Sequence, residues 1–263
     1  MRPLGVAHLT ALNLAPVELV REAARAGFAS VGLRLHPVMP GAIAYPLKSG
    51  SLAARELKAV IAGEGVQVSD IEFVSLTPAF QLTDYEGLLA AGADLGASSL
   101  TVSRDDLDEA RLVHHFAVLC ELASGYGLHV DLEFMRWRPV ATLQRAVAVV
   151  TAAGQANAGV LLDALHLYRS GGNEGALAQI DPRYLQAVQL CDGPRRAPAE
   201  ALIIQEAREG RLLPGRGQLP LAALLSALPA DVQVSVETPS ALVAPEMRLK
   251  AAFEASRSLF IRS

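Results

Sequence analysis

Cysteine is scarce in this chain of 263 residues: there are two, Cys120 and Cys191, each inside an apolar run. That excludes a disulfide framework and predicts two small core residues in a reducing compartment. Aromatic side chains make up only 5%, so the 51% hydrophobic content rests on aliphatic residues able to fill a large core. Charge of one sign is not concentrated either. The formal net charge is −4, and no Lys/Arg cluster stands out of the kind a nucleic-acid backbone requires. The densest arginine-rich stretch, residues 193–216, also carries Glu200, Glu206 and Glu209 and reads as a solvated loop and helix. No stretch approaches the ~18 uninterrupted apolar residues of a membrane span, and the apolar opening segment is too short for a secretory signal. These absences predict a cytoplasmic chain with neither nucleic acid nor membrane as partner.

What is present is a rhythm: an amphipathic stretch closes on Gly, and a short apolar or β-branched run follows. Residues 16–26 have apolar side chains at helical spacing, Gly27 supplies a left-handed cap, and residues 30–35 read as a strand. Helices over 51–62, 85–95, 107–124 and 140–153 close on glycines in the same way, before strands over 66–76, 98–103, 129–134 and 158–163. Runs at 4–9, 184–191 and 232–237 bring the strands to eight, and a helix over 244–260 covers the last. This alternation predicts an α/β fold, a parallel (β/α)8 TIM barrel spanning residues 1–263 as one domain. The rival, an open doubly wound sheet, lacks a Gly-rich phosphate fingerprint after its first strand. Residues 192–219 become the seventh βα loop and a lid candidate.

Four strand-like segments each place one oxygen-bearing side chain among apolar neighbours: Glu133, Asp163, Gln189 and Glu237. An isolated carboxylate in a core costs many kcal/mol, so three of them, late in the fifth, sixth and eighth strands, need a shared cation. All-oxygen ligation suits Mn²⁺ or Mg²⁺, with Zn²⁺ or Co²⁺ as alternatives; one divalent metal is expected. Separate pairing of each acid with Arg or a backbone donor is the competing explanation.

On these residues the sequence resembles the xylose-isomerase-like barrels, which include sugar and sugar-phosphate isomerases and epimerases, inosose dehydratases and dehydroshikimate dehydratases. Asp163-Ala164-Leu165-His166 looks like the family's Asp-x-x-His, and Val188-Gln189-Leu190-Cys191-Asp192 like its seventh-strand ligand segment. Pro214-Gly215-Arg216-Gly217 and Ser235-Val236-Glu237 resemble its Pro-Gly-x-Gly loop and eighth-strand Glu. Many members carry His where this chain has Gln189; Gln there is similar to the dehydroshikimate dehydratase branch.

The resemblance implies that Glu133 and Glu237 are both metal ligands and a proton-transferring pair. It also implies that Arg211 binds a substrate carboxylate or phosphate and that Trp137 walls the pocket. His166, three residues after Asp163, can serve as a substrate ligand or general acid/base, or as a packing residue. His8 and Arg34, with His36, face the same barrel mouth by position. Asp70 and Glu72 alternate on one face of the third strand, so Glu72 reaches the site or forms a buried ion pair. Arg136 and Arg138 flank Trp137 and are placed to steer an anion.

The expected activity is a metal-dependent isomerase or epimerase acting beside the carbonyl of a small sugar, ketose or polyol-derived substrate. The alternative is a dehydratase, such as one for 3-dehydroshikimate or an inosose, with His166 protonating the leaving hydroxyl. A barrel that binds a polyol without turning it over is a third reading, and homo-oligomers are common in the family. A repair endonuclease is disfavoured, because those enzymes hold a zinc cluster with many histidines and this chain has six.

Overall fold

The computed structural model describes residues 2–262. Eight parallel strands close in sequence order into a barrel: β1 (Leu4–Val6), β2 (Ser30–Arg34), β3 (Gln67–Leu76), β4 (Ser99–Arg104), β5 (His129–Glu133), β6 (Ala158–Asp163), β7 (Ala187–Leu190) and β8 (Gln233–Val236). β1 pairs with both β2 and β8, which leaves no free edge. Outside lie α1 (Pro16–Ala26), α2 (Leu52–Glu64), α3 (Glu86–Asp94), α4 (Glu109–Ser124), α5 (Leu143–Ala153), α6 (Ala164–Arg169), α7 (Ile203–Glu209), α8 (Leu221–Ala227) and α9 (Pro245–Arg262). No helix among the described residues is long and apolar enough to cross a membrane.

Local chemistry explains the boundaries. Pro16 opens α1 without wasting a backbone donor, and Gly27, at φ 104°, closes it. Ser51, Asp108 and Thr142 cap α2, α4 and α5 by accepting from backbone N–H groups. Several strands are shorter than expected. β1 stops at Val6 because His8–Ala11 wind into a 3-10 turn, and β7 begins only at Ala187, after a 3-10 turn at Pro182–Tyr184. Three short helices fall outside the expected set or its bounds: α6 starts directly on Asp163, α7 lies inside the loop over 192–219, and α8 precedes β8.

The aliphatic core lies between strands and helices, not inside the barrel. Val31, Leu33, Leu100, Val130, Leu132, Leu162, Val188 and Val234 pack outward with Leu19, Leu57, Phe116, Val150 and Leu224. The strands read as near-continuously apolar, yet their inward positions are small or polar. A cavity within the barrel is lined by Asp70, Ser99, Thr101, Gln189, Gln233 and Ser235, with Leu161 as its large apolar side chain. Two glycines make this possible. A Cβ on Gly32 would press on the Asp70 carboxylate, and one on Gly159 would collide with that of Asp131.

Burial pushes the Asp131 carboxyl up to about 6, a Ser99 hydrogen bond offsetting part of the effect. Because this lies above the ordinary 3.8, the group's contribution to stability is full below about pH 4 and is lost as pH rises through about 6. Asp131→Asn is therefore expected to flatten the stability profile over that window by on the order of 2–3 kcal/mol. Urea unfolding of both proteins on either side of the window checks it, and parallel profiles would count against the assignment.

Candidate active site

The C-terminal ends of the strands surround a cavity of about 260 Å³. Its floor carries Glu72 of β3, Thr101 of β4, Glu133 at the end of β5 and Gln189 of β7, with Glu237 just beyond β8. His166, Trp137, Arg34 and Arg211 also face it, and Asp163 lies fully buried beneath Arg211. Asp163 both ends β6 and caps α6: its Oδ1 accepts from the His166 N–H at 2.9 Å, which holds His166 over the floor.

Arg211 is the dominant cation. Its Nη1 pairs with Asp163 Oδ2, its Nη2 lies 2.7 Å from Glu237 Oε2, and its Nε donates to Ala207 O at 2.8 Å. The expected role, grasping a substrate anion, therefore competes with protein partners that already engage the guanidinium. A second buried pair, Arg34 with Glu72, lies across the cavity. Glu72 thus both lines the site and forms the ion pair that sequence left open.

Electrostatics separates the three strand-end acids. Burial opposes ionisation of Asp163, but Arg211 and the His166 side hold it below the ordinary range. Burial raises Glu237 to about 7 despite Arg211. Glu133 is raised well above the usual range, by burial first and then by Glu237 and Asp163. Burial lowers His166 to about 4, so its imidazole is neutral near pH 7. Its Nε2 lies 3.5 Å from Glu133 Oε1, and its Nδ1 is buried without a partner.

The donor set fits a divalent cation. Glu133, Asp163 and His166 each offer an atom within 4.8 Å of the others. Gln189 Oε1 is buried with no hydrogen-bond partner. Four carboxylates, those of Glu72, Glu133, Asp163 and Glu237, face the two guanidiniums of Arg34 and Arg211, an excess of two negative charges when all are ionised.

His8 does not line the cavity, contrary to expectation, because both ring nitrogens are engaged by backbone. Nδ1 accepts from Arg34 N at 2.8 Å and Nε2 lies 3.0 Å from Leu14 O, while its own N–H donates to Glu72 Oε1 at 3.1 Å. It supports the Arg34–Glu72 pair from behind. His36 packs edge-on against Tyr85, away from the cavity lining. Trp137 stands edge-on to His166 with centroids 5.1 Å apart. Arg138 lines the cavity and pairs with Asp105; Arg136 turns to Glu200 at 2.6 Å. Both cysteines are buried and free, and burial raises the Cys191 thiol to about 12.

Sequence reading missed the apolar wall formed by Val38, Met39, Ala42 and Ile43 after β2. These residues have no periodicity; apolar side chains in a Pro/Gly-bounded loop were the available signal. It gave Asp192, noted only as the end of the seventh-strand segment, no role of its own; its carboxylate accepts from Gly193, Gly215 and Leu219 N–H groups at 2.8, 3.0 and 2.9 Å. A side chain at Gly217 would clash with that carboxylate, so Pro214-Gly215-Arg216-Gly217 shapes the loop around Asp192.

The xylose isomerase-like TIM barrel family matches residues 20–259. A 3-dehydroshikimate dehydratase of Pseudomonas aeruginosa is 32% identical over 142 residues, 53% of this chain and 22% of that protein's length. The chain thus covers well under two thirds of that curated relative. Among solved structures, the IolI protein with a bound zinc atom superposes with a TM-score of 0.82 at 20% identity, covering 99% of this chain and 98% of that one. The Escherichia coli 3-keto-D-glucoside 4-epimerase YcjR superposes with a TM-score of 0.73 at 19% identity, covering 99% and 100%. Below 25% identity these superpositions establish the fold alone.

Replacing Arg211 by Met leaves Asp163 and Glu237 buried without their cation. Stability in the presence of a chelator is expected to fall by about 3 kcal/mol, read as a lower urea midpoint with an unchanged m-value. An unchanged midpoint would mean that the guanidinium contributes no net stability there.

Proposed function

The chain belongs to the xylose isomerase-like TIM barrel family, and on that premise we propose that it is a divalent-metal-dependent enzyme abstracting a proton beside the carbonyl of a small, oxygen-rich substrate. The observation that carries this is the convergence of Glu133, Asp163, His166, Gln189 and Glu237 at one end of the barrel, with excess negative charge and an unpartnered amide oxygen. Glu133, Asp163, Gln189 and Glu237 would hold the cation, Mn²⁺ or Mg²⁺ ahead of Zn²⁺ or Co²⁺. Bound there, it supplies Lewis-acid polarisation of a carbonyl.

The remaining work falls to side chains. His166, neutral and held in place by Asp163, accepts a proton through a ring nitrogen and returns it to a departing hydroxyl. Glu133 sits beside it, its Oε1 3.5 Å from His166 Nε2, and shares in the transfer as a carboxylate. Arg34 and Arg138 offer charge to an anionic substituent, and Arg211 joins them when a cation takes over its carboxylates. Trp137, Met39 and Ile43 give the cavity its apolar wall.

Within that chemistry we favour a carbon–oxygen lyase acting on a cyclic hydroxy-keto acid of the dehydroshikimate kind. Gln189 at the seventh-strand position and the 32% identity to the dehydratase support it. Epimerisation or isomerisation is the second reading, favoured by Glu133 at the end of β5 and Glu237 just beyond β8 lining one floor.

The test is metal analysis followed by two assays. The reconstituted protein is expected to hold one divalent ion per chain, and Glu133→Gln and Asp163→Asn to lose it. His166→Asn should retain the ion but turn over at least ~10²-fold more slowly. Growth of a conjugated chromophore from 3-dehydroshikimate supports the lyase. Deuterium exchange beside the carbonyl of a ketose without a chromophore supports the second reading. Absence of bound metal after reconstitution, or metal retained undiminished in both carboxylate variants, overturns both.

A further inference from the structure

Polar space continues beneath the floor of the active site. Inside the barrel lies a cavity of about 10 Å³, room for one water-sized body. It is walled by Asp70, Ser99, Thr101 and Ser235, with Gln189 as the partition from the cavity above. Asp70 Oδ1 accepts from the Ser69 hydroxyl at 2.7 Å, whereas Oδ2 is buried with no partner. No Lys, Arg or His is among the described residues lining this space. Arg34, on the neighbouring strand, pairs with Glu72 and reaches Asp70 only as a weak, long-range charge. Gly32 leaves the niche that the Asp70 carboxylate occupies.

We propose that this cavity is a monovalent-cation site, taking Na⁺ or K⁺ with Asp70 Oδ2 as the charged ligand and the hydroxyl oxygens of Ser99, Thr101 and Ser235 as neutral ones. Hydroxyl groups that donate to protein acceptors keep lone pairs for a cation. One carboxylate among neutral oxygens matches a single positive charge. A divalent ion would demand more carboxylates or retained water, for which there is no room. A lone water fills the space but leaves a buried carboxylate with no cation in contact and Arg34 as a distant, minor offset, which is costly. Burial and Glu72 push the ion-free Asp70 carboxyl up to about 7, so a proton is the competitor for the same oxygen. The site shares no carboxylate with the divalent centre and stands or falls separately from it.

Thermal unfolding of the full chain, with chelator present to silence divalent ions, is measured in sodium, potassium and choline chloride at equal ionic strength. Sodium or potassium is expected to raise Tm by about 3 °C over choline. Asp70→Asn is expected to abolish that difference, and Thr101→Val, which swaps an oxygen for a methyl of similar shape, to reduce it. Crystals soaked in thallium(I) should show an anomalous peak between Asp70 and Ser235. Equal Tm in the three salts with no peak overturns the proposal and leaves a protonated Asp70 beside water. A cation-specific rise that persists in both variants overturns it too, by placing the ion elsewhere.

Discussion

The structure turns on carboxylates buried where water scarcely reaches and on the guanidinium that makes them tolerable. Asp163 ends β6 and Glu237 follows β8, with β7 between them, and Arg211 bridges the two from the seventh loop. Without a cation at that point, two ionised acids would face each other and Glu133 in a medium that stabilises charge poorly. Placement of Arg211 is correspondingly over-determined. Its Nε is tied to Ala207 of α7, and α7 is tied to α6 by the buried Arg169–Glu206 pair at 2.7 Å. Asp192 folds the chain on either side of the loop with three backbone hydrogen bonds.

Electrostatic compensation and chemical competence are therefore the same arrangement. The acids that need a counter-charge are those that can hold a divalent ion, and the guanidinium that neutralises them is also suited to a carboxylate or phosphate. His166 is kept neutral by its burial and kept in position by the Asp163 cap, a pairing that leaves a ring nitrogen free to take a proton.

A second division of labour separates stability from function. The aliphatic core sits in the shell between strands and helices, so the barrel's interior is released from filling space. Small and polar residues occupy it instead, down to Asp70 and Asp131, each against a glycine of the adjacent strand. In most barrels of this architecture bulky branched side chains fill those layers.

Sequence by itself determined the architecture: glycine-closed helices alternating with apolar runs can bury their surfaces in few ways, and eight such units close a parallel sheet. It also determined the strand-end oxygens, because Glu133, Asp163, Gln189 and Glu237 stand out against apolar neighbours regardless of their partners. Only tertiary structure decided which groups meet. Arg211 lies 48 residues from Asp163, and no local pattern reveals that its donors are spent on that acid and on Glu237. His8 looked like a site residue by position, but a 3-10 turn and the backbone of Arg34 and Leu14 claim its ring. The inward positions of the strands were legible as alternation, whereas their collective polarity was not, because burial and pairing are properties of the closed barrel rather than of any one segment.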